Sequence, residues 1–306
     1  MDDMTDTSKP SGATPCDRAN RIREADYIRF TALGDSATFG LGDPVDRGWR
    51  GWARLLADAI STANDVSFCN LAMPGATVRE VRNIQLPRAL DHHAAIVSLV
   101  VGLNDVMRST WDPARFREDL LHCAGRLAES GALIMTVRFH DHGKVLGLPR
   151  WLSHRMTARI KVLNEIYDEV HERYGLLRVD LDADRATYAR EFWAADRMHP
   201  SERGHRQIAA RVATLLNEEG LDFDPPVTAC VTPRSTRARD THDLVTSAAP
   251  WVARRLVDLG PAAVRTALKR ARLRAAVVRG QVPTVARSAE QDDRHPRDPV
   301  SVRVTS

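Results

Sequence analysis

Four short blocks in the 306-residue chain carry side chains suited to nucleophilic catalysis: Gly34-Asp35-Ser36, Asn70-Leu71-Ala72-Met73-Pro74-Gly75-Ala76-Thr77, Gly102-Leu103-Asn104-Asp105 and Asp196-Arg197-Met198-His199-Pro200. A serine hydroxyl is a weak nucleophile and needs an adjacent base. Ser36 offers the nucleophile and His199 the base. Asp196, three residues before His199, can reach the other imidazole nitrogen across one tight turn, fixing the tautomer and stabilising the imidazolium. The tetrahedral intermediate of acyl transfer also needs fixed donors aimed at its oxyanion. The backbone N–H groups of Ser36 and Gly75 and the side-chain amide of Asn104 offer three, and Gly75 has no side chain to block the approach. Asp35 and Asp105 read as supporting carboxylates that accept backbone N–H groups and hold the loops. Each block alone is ordinary turn chemistry; only the set points to a site.

The elements that must position these blocks alternate regularly. Strands are predicted at Tyr27–Leu33, Val66–Leu71, Ile96–Val101, Ala132–Phe139 and Leu176–Asp180. Helices are predicted at Trp49–Thr62, Val78–Leu90 (interrupted by Pro87), Pro113–Ser130, Arg150–Tyr174 and Ser201–Asn217. Five apolar strands separated by helices imply a five-stranded parallel sheet in a three-layer α/β/α, flavodoxin-like order. The first three blocks then directly follow strands, and the fourth follows the last strand after a helical stretch. Ligands of such sheets bind there, outside the C-terminal strand ends.

The set GDS, a Gly after strand two, G-x-N-D and D-x-x-H, in this order, resembles the SGNH/GDSL hydrolase superfamily over roughly residues 27–221. The resemblance implies that Ser36, Gly75, Asn104 and His199 are catalytic, with Asp196 completing the triad. It implies a serine ester hydrolase, a carboxylesterase or lipase-like acylhydrolase, working through an acyl-serine. An acyltransferase on the same fold, or a non-catalytic lipid- or carbohydrate-binding relative, are the alternatives. Ala37, Leu103 and Met73-Pro74 depart from the commoner pattern without removing a reacting group. The expected substrate is a small-molecule or lipid ester, and the chemistry requires no metal or organic cofactor.

Other motifs argue less. There is no GxSxG and no phosphate-binding GxxxxGK[ST]. Gly40-Leu41-Gly42 lacks the third glycine of a dinucleotide loop. His140-Asp141-His142 reads as a polar loop at the rim of the site, and His92-His93 as a solvated loop. His205, a rival base, lacks an Asp three residues before it. The tryptophans read as partly buried packing, and only Trp111 or Trp193, near the expected catalytic loops, is assigned to the rim of the site.

The net charge of +4 is unevenly placed. From Ala229 to Ser306 there are 15 Lys+Arg against 7 Asp+Glu, a net +8, which leaves −4 on the remainder. The expected organisation is a disordered leader (1–25), a hydrolase domain (26–224) and a linker with a basic amphipathic helical tail, partly disordered (225–306). The basic stretch 261–279 suits packing on the catalytic domain or another chain. Weak peripheral contact with an anionic membrane surface is the lesser alternative, because its apolar face is mainly Ala and Val. No nucleic-acid motif accompanies the charge. Four scattered cysteines, no apolar leader and no long apolar run lead to the expectation of a cytoplasmic protein. Oligomeric state is not legible.

Overall fold

The computed structural model describes residues 15–25, 27–147 and 150–230. The stretch expected to be a disordered leader contains a helix, α1 (Pro15–Arg23), with Ala19 and Ile22 buried in the core. Arg18 donates to the Tyr174 carbonyl at 3.2 Å. Few apolar side chains of this helix are committed to the core, too few for a helical period to show in the sequence.

Strand β1 (Tyr27–Gly34) leads into the short α2 (Ser36–Phe39). A hairpin of β2 (Pro44–Val45) and β3 (Gly48–Trp49) precedes α3 (Gly51–Ile60) and β4 (Asp65–Asn70). The next helix is broken. It runs as α4 (Val78–Glu80), a π-turn (Val81–Gln85) and α5 (Leu86–Asp91). Pro87 is the cause: its ring clashes with a carbonyl four residues back, and Leu86 N–H instead reaches Val81 O, five residues back. Then follow β5 (Ile96–Val100), α6 (Leu103–Met107), α7 (Pro113–Glu129), β6 (Leu133–Arg138), α8 (His142–Leu146), α9 (Arg150–Tyr174), β7 (Leu177–Asp180) and α10 (Glu202–Glu218).

The five long strands are all parallel, in the order β4-β1-β5-β6-β7. This is the flavodoxin-like order expected from the sequence. Phe30 of β1 lies opposite Phe68 on one side and Ile96 on the other. All five residues of β5 are buried, as a central parallel strand requires. Helix α3 packs on α10, while α7 packs on α9 and on the α4–α5 segment, which gives the outer helical layers. The strand order reverses at β1, and the crevice beside it opens between the segments after β1, β4 and β5. The basic stretch 261–279 and the rest of the tail beyond residue 230 lie outside the described residues.

Candidate active site

Where the β ladder runs out, buried side chains take over the backbone hydrogen bonds. Gln85, on the π-turn, accepts from Gly34 N–H at 2.8 Å and donates to Gly34 O at 2.9 Å. Tyr167 hydroxyl accepts from Val101 N–H and donates to Val101 O, and Asn164 does the same for Phe139 through its amide. Buried backbone groups are costly when unpaired. Satisfying them fixes the strand ends from which the site residues project.

Ser36 opens α2 immediately after β1. Asp35 caps that helix, accepting Ala37 N–H on Oδ1 at 3.1 Å, while its Oδ2 accepts from Asn104 Nδ2 at 3.2 Å. One carboxylate therefore ties the first block to the third. Gly34, at φ +152°, lies against Val100, whose carbonyl oxygen would be 2.3 Å from an added Cβ. In the second block, Ala76 N–H bonds Met73 O at 3.0 Å, with Pro74 second and Gly75 third at φ +82°. That is a Pro-Gly turn whose third position favours glycine. Arg108 donates to Gly75 O at 3.2 Å, and Asp105 accepts Val78 N–H at 3.2–3.3 Å, so the third block also holds the second. Burial pushes the Asp105 carboxyl up to about 7, against the opposing Val78 hydrogen bond and the attraction of Arg108.

The fourth block is a tight turn. Trp193 bridges Pro200, Ala194 N–H bonds His199 O at 2.9 Å, and Arg197 takes φ +55°. Asp196 Oδ1 accepts the N–H groups of Met198 and His199 at 2.8 and 3.1 Å, which aims Oδ2 at His199 Nδ1, 2.6 Å away. His199 Nε2 lies 2.9 Å from Ser36 Oγ, across 163 residues of sequence. Burial works against ionisation of Asp196. The hydrogen bond and charge of His199, with the two backbone N–H groups, outweigh it and hold the carboxyl below its usual range. Ser36, Asp196 and His199 thus form one continuous hydrogen-bonded chain.

Asn104 is buried in the same crevice, where its Nδ2 donates to Ala76 O at 3.1 Å as well as to Asp35. Its amide is pre-oriented by two acceptors. Ser36 N–H, in the first turn of α2, is among the donors a helix start leaves without an intrahelical acceptor.

The rejected candidates have definite places. His205 is locked as a neutral imidazole: Nδ1 accepts Trp52 N–H at 3.1 Å and Nε2 donates to Leu41 O at 2.9 Å, and burial lowers its pKa to about 4. His92, expected in a solvated loop, bridges Thr31 of β1 and Ser67 of β4 at 2.7 and 3.2 Å. His140 and His142, expected at the rim, are interior. Their Nε2 and Nδ1 lie 2.8 Å apart, and their rings pack on Trp193 at 4.7 and 5.3 Å. Burial depresses both, His142 to about 4, with His199 adding to the effect and Asp196 opposing it. Trp193 is buried, its indole N–H on Thr187 O at 2.6 Å, and half-buried Trp111 packs on Phe116. Gly40 and Gly42 serve close packing: an added Cβ on Gly42 would sit 2.0 Å from Pro200 O. Among the described residues, no three His, Cys, Asp or Glu gather as metal ligands.

A model of the GDSL-like lipase/acylhydrolase family matches residues 32–207, which spans all four blocks. The chain belongs to this family. Its members' chemistry makes it an ester-hydrolysing enzyme. Solved structures with the same fold include LAE5, an alpha/beta hydrolase enzyme from the metagenome of Lake Arreo (22% identity, TM-score 0.52, covering 62% of this chain and 95% of that one). TesA is similar at 20% identity and TM-score 0.50, covering 62% and 99%. A catalytic mutant of Axe2, an acetylxylan esterase from Geobacillus stearothermophilus, is similar at 17% identity and TM-score 0.51, covering 62% and 94%. At these identities the likeness shows the fold alone. No curated protein sequence matches the chain significantly. Among the described residues no helix is long and apolar enough to cross a membrane.

Proposed function

We propose that this GDSL-family hydrolase is a serine carboxylesterase working through an acyl-serine on Ser36. The observation that carries this reading is the chain Asp196–His199–Ser36, at 2.6 and 2.9 Å. His199 Nε2 takes the Ser36 proton as Oγ attacks the ester carbonyl. The oxyanion is met by the N–H groups of Ser36 and Gly75 and by the Asn104 amide. Collapse of the intermediate breaks the C–O bond, and the alcohol oxygen takes the proton from His199. Water, deprotonated by His199, then attacks the acyl-serine and releases the acid, returning the proton to Ser36. Asp196, ionised, supports the imidazolium in both halves. Small-molecule esters are the expected substrates. The experiment is product analysis on aryl esters of increasing acyl length, with and without an added alcohol, beside Ser36→Ala. Free acid as the main product supports a hydrolase; acyl transfer to the alcohol as the main product overturns it in favour of a transferase.

A further inference from the structure

Gly75 takes its φ of +82° because it has no side chain, and the same freedom leaves the direction of its N–H weakly specified by its own backbone. Pro74, before it, has its φ locked by the ring. The turn is entered by Met73 N–H on Gly34 O at 3.2 Å and closed by Ala76 N–H on Met73 O at 3.0 Å. Neither bond involves Gly75. Among the described residues no acceptor takes the Gly75 N–H. The turn nevertheless lies beside the nucleophile: Asn104 Nδ2 bonds both Asp35, which adjoins Ser36, and Ala76 O, which adjoins Gly75.

One side chain does hold Gly75. Arg108 caps the C-terminus of α6 in an extended conformation, φ −82° and ψ 149°, and its Nη2 donates to Gly75 O at 3.2 Å. Its charge is attracted by the Asp105 and Glu80 carboxyls. Arg108 is itself braced. From α9, Arg159 Nη1 donates to Val106 O at 2.6 Å and to Arg108 O at 2.8 Å, carbonyls at the end of α6 where helical partners run out. We propose that Arg108, braced by Arg159, is the positioning residue of the oxyanion site, acting on the reaction through Gly75. This rests on the acyl-serine reading, in which Gly75 N–H is one of three oxyanion donors. A charged donor makes a stronger hydrogen bond to the Gly75 carbonyl than a neutral one would. Without it the turn stays closed through Ala76 and Met73, but Gly75 is free to rotate and its N–H loses aim. A displacement of about 1 Å at a reacting centre costs roughly 10²-fold in rate.

The test uses the full chain with a neutral aryl acetate and an anionic aryl hemisuccinate. Arg108→Met is expected to lower kcat by about 10- to 100-fold on both esters, with KM within about twofold. Arg108→Lys, which keeps a charged donor, should recover at least about threefold of that loss. Gly75→Ala, strained at this φ, should lower kcat by about 10²–10³, as loss of an oxyanion donor does. The decisive variant combines Arg108→Met with Gly75→Ala. Because both act through one donor, the second change should cost less than about threefold more. An arginine that merely stabilises the fold would multiply the two losses. Multiplied losses, an effect on KM rather than kcat, or unchanged kcat in Arg108→Met overturns the proposal. A loss confined to the anionic ester places Arg108 on the substrate and also overturns it. If Arg108→Met melts below the assay temperature, Arg159→Met carries the same comparison with a smaller loss. Ser36→Ala separates the two levels. Retained turnover there sinks the acyl-serine reading, whereas its loss there, with Arg108→Met unchanged, sinks the proposal alone.

Discussion

Replacing Asp196 by Asn tests the geometry of the triad more finely than removing its members. Oδ1 of the wild-type carboxylate accepts two backbone N–H groups, and Oδ2 alone faces His199 Nδ1 at 2.6 Å. An asparagine keeps Oδ1 and its two bonds, so the turn survives. Its NH2 group then faces Nδ1, which must become an acceptor, and the imidazole proton moves to Nε2. There it can only donate to Ser36 Oγ, 2.9 Å away, and the base is lost. A carboxylate-to-amide change of this kind lowers kcat by about 10⁴, or about 5.5 kcal/mol at about 1.4 kcal/mol per tenfold. The assay is kcat for a chromogenic aryl acetate beside a thermal melt. Loss of three to four orders of magnitude with a melting temperature within about 2 °C of wild type is expected. A loss below tenfold, or a loss matched by collapse of the melt, would refute the reasoning.

Asn104→Ala should lower kcat by about 10²–10³ with a smaller change in KM, as removal of one oxyanion donor does; equal activity under the same assay would remove Asn104 from the site. Asp105→Asn should flatten the pH dependence of stability. Because the folded carboxyl is raised from 3.8 to about 7, wild type binds a proton in the folded state that the unfolded chain has released, so its stability falls as pH rises from about 4 to about 7. At about 1.4 kcal/mol per pKa unit the effect is at most about 4 kcal/mol, and melts of both proteins across that window should diverge towards neutral pH in favour of the amide variant. Melts that keep a constant separation across the window would contradict the raised carboxyl. Gln85→Leu leaves Gly34 N–H without its buried acceptor. A cost of about 1–3 kcal/mol predicts a melting temperature roughly 2–12 °C lower in a domain of this size, with turnover reduced because Ser36 is displaced; an unchanged melt contradicts the role given to Gln85.

The candidate residues Ser36, Gly75 and Asn104 were legible because their types suit the proposed chemistry and because each lies just past a strand of recognisable apolar pattern. The run Ile96–Val101 could hardly be anything but a central parallel strand, so Asn104 had to lie at a strand end. Asp196 and His199 are three residues apart, and local turn geometry decides their contact. What was not legible depends on distant partners. Gln85 sits on a π-turn that Pro87 enforces, and only the fold brings it to Gly34, 51 residues away. His140-Asp141-His142 is as polar as any loop. Its burial follows from Trp193 closing over it, which nothing within either segment signals. Helix α1 escaped notice because Arg18, with its guanidinium on a carbonyl, takes the place of an apolar side chain on its buried face. The Asp43–Arg50 ion pair at the base of the β2–β3 hairpin joins residues seven apart with no periodic signature.

The most direct test of the central claim is covalent. A fluorophosphonate needs a serine activated by its base and an oxyanion site to hold the phosphoryl oxygen. Intact-mass analysis with peptide mapping after exposure to such a reagent should show one adduct per chain, located on Ser36, with hydrolysis lost in proportion. The adduct should be absent in Ser36→Ala and strongly slowed in His199→Ala. An adduct on another residue, or full inactivation with Ser36 unmodified, would contradict the assignment of Ser36 as the nucleophile.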